Sequence, residues 1–275
     1  MGKKTMIKKI LSKTVGFFEK NAVNKALNRA MIRLHFKRKV TGSICVWQGP
    51  SLFDGKPIQV VLSSFDKDSE NDKTGAMIQI YILPIDETPY QVFKSKAPTV
   101  CGDCKYNGGG CYVRWSNIGG ISKSARRNIG TLDLGQSLCA GLRIRVGAAG
   151  DPAAVPTYVW ETLLKDADGF TGYTHSWKDC DPRLKDYFMA SVDSSYENSV
   201  ARLQKWKTFY VVESIEESPE DSIRCLASKI KKNGLHYQCV DCMKCTGNNK
   251  ATQTIVEVLH GATNTIKQAK QARGK

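Results

Sequence analysis

Ten cysteines are spread over 275 residues, and seven of them fall into two groups whose spacing suits a metal ion. Cys225 is followed by Cys239, Cys242 and Cys245, the last three at CxxCxxC spacing. Two-residue gaps let successive thiolates turn toward one ion, and Cys225 returns from a preceding strand as the fourth donor. Four thiolates around Zn²⁺, a structural site with no open position, is the direct reading; an iron–sulfur cluster uses the same donors and stays an alternative. Cys101, Cys104 and Cys111, in CGDCKYNGGGCYV, are spaced CxxC-x6-C, with the Gly108–Gly110 run permitting a tight return. They suit a second metal whose fourth ligand is Cys139, Cys180, His175 or a substrate; a redox-labile loop with one reactive cysteine is the other reading.

The second set of reactive types lies where apolar runs end. Asp151 follows RIRVGAAG, His175 ends GYTH, Asp193 ends MASVD, and Glu213 ends YVVE. Each has a plain structural explanation: Asp151 and Asp193 stand where helix caps belong, and His175 suits a packed core. If the runs are strands of one barrel, these side chains converge on one mouth, with Asp193, Asp151 and His175 as candidate catalytic groups and Glu213 beside them. Lys73 and Thr74 in DKTG, with Gln79 just after, are candidate substrate contacts.

The elements that must position these groups are legible as segments. PIQVVLSSF, AMIQIYILP, LRIRVG, GFTGYTHSW, YFMASVDS, TFYVVES, IRCLAS and TIVEVLHG read as strands, the later ones separated by helical stretches such as AAVPTYVWETLLKDA and SYENSVARLQKW. About eight strands, buried on both faces and spaced as β/α units, predict an α/β fold: a (β/α)₈ TIM-like barrel, irregular in its first half, with cysteine-rich loop insertions. An open doubly wound sheet is the second choice. Both cysteine groups are expected on the rim that carries the carboxylates.

The net charge of +15 is unevenly placed, since residues 1–39 hold twelve Lys and Arg against Glu19 alone. Residues 1–40 therefore read as a basic amphipathic helical arm, and 41–275 as the barrel domain with cysteine clusters at 101–111 and 225–245. Lys8, Lys9, Lys13, Arg29, Arg33, Lys37, Arg38 and Lys39 are candidate nucleic-acid contacts, because a polyanion is the natural partner of such an arm. An anionic membrane surface is the lesser alternative. No apolar run is long enough to span a bilayer, and no apolar leader follows the first lysines. With CxxC pairs in place of disulfides, a cytoplasmic location is expected. P-loop, GxGxxG, GxSxG, HExxH and deaminase signatures are absent.

DKTGAMIQIYIL, CGDC with CYV, VGAAGDPAAVP, GYTHSW and MASVDS resemble a family of phage-encoded proteins, and cover most of the chain from Gly42 to Gly261. A barrel with a thiolate zinc site near its last strand is similar to the tRNA-guanine transglycosylase superfamily, whose phage branch inserts 7-deazaguanine bases into DNA. The resemblance implies base exchange: an aspartate attacks C1′, guanine leaves, and a preQ0-like base replaces it. By position it implies Asp193 as nucleophile and Asp151 as the second carboxylate, with DNA and a free 7-deazaguanine as partners in a bacterial host cytoplasm. The chain departs from the superfamily's three-cysteine, one-histidine zinc set. A zinc-stabilised nucleic-acid-binding protein without catalysis, or another barrel enzyme such as a nuclease or iron–sulfur enzyme, are the competing readings.

Overall fold

The computed structural model describes residues 17–274 apart from 70, 229–236, 249, 251 and 252. Among them are ten strands in two five-stranded sheets, and eight α-helices. The first sheet runs in chain order: β1 (Ile44–Pro50), β2 (Pro57–Ser63), β3 (Ile78–Pro84), β4 (Arg143–Ala149) and β5 (Gly169–Thr171). Its first three strands are antiparallel neighbours, while β3, β4 and β5 are parallel. The second sheet contains β6 (Tyr173–Thr174), β7 (Met189–Val192), β8 (Thr208–Val212), β9 (Ser222–Arg224) and β10 (Thr254–Val258). Its order is β6-β7-β8-β10-β9, with all pairs parallel.

The α/β class is as expected, but a closed eight-stranded barrel is not shown. The antiparallel half follows from connection length: residues 51–56 and 64–77 join β1 to β2 and β2 to β3 without a helix, and so return the chain antiparallel. The break between the sheets falls at one residue, Gly172. Its N–H donates to the Cys245 carbonyl (3.0 Å), while its own carbonyl accepts from Met189 N (3.1 Å). A side chain there is excluded, because a Cβ would lie 2.7 Å from the Phe188 ring.

The helices are α1 (Phe17–Phe36), α2 (Pro89–Ser95), α3 (Gly119–Arg127), α4 (Leu132–Cys139), α5 (Thr157–Leu164), α6 (Ser195–Leu203), α7 (Cys239–Cys242) and α8 (Thr263–Arg273). One apolar core runs from Ile32 on α1 through β1–β4 and α5 to Val256 on β10, centred on Trp160 and Phe188, whose rings meet edge to face at 5.6 Å. Burial of such large rings is the main favourable contribution here, about 25 cal/mol per Å² of apolar surface removed from water.

The basic arm is not a separate body along α1. Asn28 is fully buried and donates to the Phe65 and Leu138 carbonyls, and Asn24 donates to Gly141. Buried Lys25 reaches the Lys67 carbonyl and Asp68 at 2.8 and 2.7 Å. Among the described residues no helix is long and apolar enough to cross a membrane.

Candidate active site

The C-terminal ends of β4, β6 and β7 place the polar groups of interest. After β4, Gly150 adopts φ +81° against β3, where a Cβ would stand 2.4 Å from the Ile82 carbonyl oxygen. That close approach delivers Asp151, which is 5% exposed. Its Oδ1 accepts from Ala153 N (2.9 Å), and its Oδ2 accepts from His175 N (2.8 Å). Burial pushes its pKa up, opposed by hydrogen bonds from Thr174 and these backbone groups. Asp151 thus caps a 3₁₀ turn (Pro152–Ala154) and braces the backbone that carries His175.

His175 turns its ring the other way, into a cavity of about 570 Å³. Its Nε2 lies 3.1 Å from Ser191 Oγ, and its ring meets Tyr106 edge-on at 5.8 Å. Asp193 lines the same cavity with a side chain only 9% exposed. The cap of α6 is Ser194, not Asp193, so this carboxylate is released from that structural duty. Oδ1 accepts from Tyr106 Oη at 2.6 Å and lies 3.5 Å from Arg273 Nη2; Oδ2 lies 3.3 Å from Lys105 Nζ. Asp193 N donates to Glu197 Oε2 at 2.9 Å, and the other Glu197 oxygen accepts from Lys178 at 2.7 Å. Asp193 and His175 therefore face one open-mouthed cavity, with Asp151 behind as a brace.

Tyr106, Lys105, Ser191, Glu197 and Arg273 are functional candidates that sequence reading missed. Lys105 and Tyr106 sat inside the cysteine motif, whose thiols drew the attention. Arg273, in a basic tail, carries no local signal.

The structure does not bring every expected residue here. Lys73, Thr74 and Gln79 lie at the opposite end, before or at the start of β3. Lys73 Nζ pairs with Glu257 Oε2 at 3.0 Å, and Gln79 Nε2 donates to Thr74 Oγ1 at 3.1 Å. Glu213 pairs with Lys270 on α8 at 2.9 Å and is not among the cavity-lining residues. Arg29, Arg33, Lys37, Arg38 and Lys39 are exposed, Arg29 and Arg38 also donating to the backbone carbonyls of Asp66 and Arg127. Lys8, Lys9 and Lys13 lie outside the described residues.

The two cysteine groups do not share a rim. Cys101, Cys104 and Cys111 belong to the cavity end, where Cys104 lines the wall. Burial first, then the neighbouring Cys111, Asp151 and Asp193, pushes the Cys104 thiol up to about 12, and Cys101 feels both Cys104 and Cys111. Cys180 also lines the cavity, whereas Cys139 is buried in the core on α4. Of the second group, Cys239 packs just before β3, its N–H donating to the Lys73 carbonyl (2.9 Å) and that of Val240 to Thr74 (3.1 Å), whereas Cys225 directly follows β9. Arg143, opening β4, donates to the Val240 carbonyl, and Cys225 N donates to Val256 on β10 at 2.7 Å. The expectation failed because nothing local in residues 237–247 encodes which strand ends they meet.

The second group fits a thiophilic ion by donor chemistry. Its thiols are close enough to influence one another: Cys245 feels Cys239 and Cys242, and Cys225 feels Cys245. Arg145 and Lys73 stand beside them as fixed positive charge for a thiolate set. Among the described residues, however, no three His, Cys, Asp or Glu side chains take up a ligating arrangement. Arg145 also donates to Tyr112 Oη (3.0 Å), linking this interior to the loop of the first group.

Fold and site together define a mixed α/β protein with a carboxylate and an imidazole in one polar cavity. Compared with known proteins, the chain matches no family model, no curated protein and no solved structure.

Proposed function

We propose that the protein exchanges guanine in DNA for a 7-deazaguanine base, with Asp193 as the nucleophile. The observation that carries this reading is the convergence of Asp193 and His175 on a single cavity of about 570 Å³. That volume lies in the range of small-molecule sites and suits a nucleotide turned out of the duplex. Strand-end carboxylates facing solvent separately would instead have favoured a binding protein.

In the first half-reaction an Asp193 oxygen attacks C1′, the C1′–N9 bond breaks with its electron pair going to the guanine, and a glycosyl-aspartate ester remains. The departing base takes a proton from His175, which lines the cavity and is oriented by Ser191. In the second half the incoming base loses its N9 proton to the same imidazole. Its nitrogen then attacks C1′ and releases the carboxylate. The role assigned to Asp151 by resemblance is thereby reduced to holding His175, since both its oxygens accept backbone N–H groups.

Zinc held by Cys225, Cys239, Cys242 and Cys245 would supply structural cross-linking at the far end, and Cys101, Cys104 and Cys111 would hold a second metal beside the cavity. A wider barrel-like wall, closed across Gly172 and through residues 237–247, belongs to the same proposal. So do a bacterial cytoplasmic setting and the basic surface as the DNA contact.

The test is incubation of duplex DNA with a labelled 7-deazaguanine, followed by nucleoside mass spectrometry. Incorporation is expected with the full chain and is lost in Asp193→Asn, with metal content unchanged. DNA binding without incorporation of any 7-deazaguanine would instead establish the non-catalytic binding reading, which the surface lysines and arginines support.

A further inference from the structure

We propose that α8 is a latch over the first cysteine loop, and that Arg273 is the positioning residue that fixes Asp193 through Tyr106. The catalytic half of this statement rests on the base-exchange reading; the latch does not.

The latch is visible in how closely α8 approaches the glycine run. Gly110 has φ +78°, and a Cβ on it would lie 2.9 Å from the Cα and N of Ala269. Only glycine permits both that backbone conformation and that contact. Gly110 N donates to Gln268 Oε1 at 3.1 Å, and Ala269 is 1% exposed, although most of α8 faces solvent. One turn further on, Arg273 leaves the surface, with its side chain only 10% exposed. Its Nη2 donates to the Val211 carbonyl on β8 at 2.6 Å, and its Nε donates to Tyr106 Oη at 2.9 Å.

The chemistry of the three groups fixes the direction of the chain. A guanidinium can only donate, so the Tyr106 oxygen accepts from it and delivers its single proton to Asp193 Oδ1 at 2.6 Å. The relay commits Oδ1 and holds the carboxylate in one orientation. It leaves Oδ2, beside cavity-lining Lys105, as the oxygen that meets C1′. A buried guanidinium at the end of α8 is costly unless paired, and Asp193 is the carboxylate it meets, directly at 3.5 Å and through the Tyr106 hydroxyl.

The experiment uses the full chain and compares Arg273→Gln, Arg273→Lys, Tyr106→Phe and the Arg273→Gln/Tyr106→Phe double variant. Base exchange is expected to lose roughly tenfold to a hundredfold in kcat with little change in KM for each single glutamine or phenylalanine variant. The double variant should lose less than the sum of the singles, because Arg273 and Tyr106 meet on the same Asp193 oxygen. Lysine should restore part of the rate. Independently of activity, amide hydrogen exchange across residues 104–111 should rise about tenfold in Arg273→Gln, with the urea midpoint of the whole fold nearly unchanged. If the wild type exchanges no base, this protection readout alone decides the latch, and faster loop exchange upholds it while the catalytic reading falls. Additive kcat losses, or wild-type kcat together with wild-type loop protection, overturn the proposal. Gly110→Ala attacks the same contact from the other side and must loosen the same loop.

Discussion

Asp151 and Asp193 are the same residue at the end of consecutive-looking strands, and only their hydrogen bonds tell them apart. Asp151 spends both oxygens on backbone N–H groups, whereas Asp193 is held by side chains at the edge of a cavity. Asp151→Asn is therefore expected to cost about 1–3 kcal/mol, since an amide offers one acceptor oxygen where two donors need partners. Urea unfolding checks this, and Asp193→Asn should keep the fold because its amide oxygen still accepts from Tyr106. The alternation of type and position was legible in the sequence; the division of labour was not, because it depends on whether Ser194 or Asp193 caps α6. A pH prediction belongs to Asp181. Hydrogen bonds from Arg183 and then Thr157 hold its carboxyl well below the usual range. A depressed carboxylate pKa adds stability above the ordinary carboxylate value of about 4 and loses it as pH falls below that. Asp181→Asn should flatten the acid limb of a melting-temperature profile.

At the scale of elements, the sequence marked most strands correctly because their apolar runs are buried on both faces, as in β2 and β3. It did not reveal that the cysteine helix α7 packs against the segment just before β3. That placement depends on contacts such as Cys239 to Lys73, far apart in the chain. The proposed zinc therefore predicts damage at an end remote from Asp193. Cys239→Ser or Cys245→Ser should remove about one zinc per chain by elemental analysis and cost several kcal/mol of stability. Amide protection should fall first near Lys73, Thr74 and Gly172, with the cavity end affected later. Iron and a brown chromophore in anaerobic preparations would replace zinc by a cluster in the same position.

For the whole molecule, the charge asymmetry was plain from composition, and the described part of the basic arm docks on the body. Buried Asn24, Lys25, Asn28 and Ile32 fasten α1 to the body, so the amphipathic pattern there reports docking rather than a free grip. Removing residues 1–16 deletes Lys3, Lys4, Lys8, Lys9 and Lys13 without touching α1. DNA affinity should fall, and the slope of log affinity against log salt should shrink by up to about 4.5 if all five neutralise phosphates. Filter binding across a salt series measures both. Removing residues 1–39 should in addition lower the melting temperature, because it uncovers Phe65 and Leu138 carbonyls that Asn28 satisfies.

The bond from Cys239 N to the Lys73 carbonyl also has a meaning for synthesis. The strand β3 is made well before α7, yet the partners of the Lys73 and Thr74 carbonyls are made only when residues 239 and 240 appear. A nascent chain therefore carries the Lys73 and Thr74 carbonyls without these partners until that segment is made. Folding that waits for so distant a segment is slow and exposed to misassembly. Closure of the β3 entrance is thus timed to the arrival of the cysteine loop.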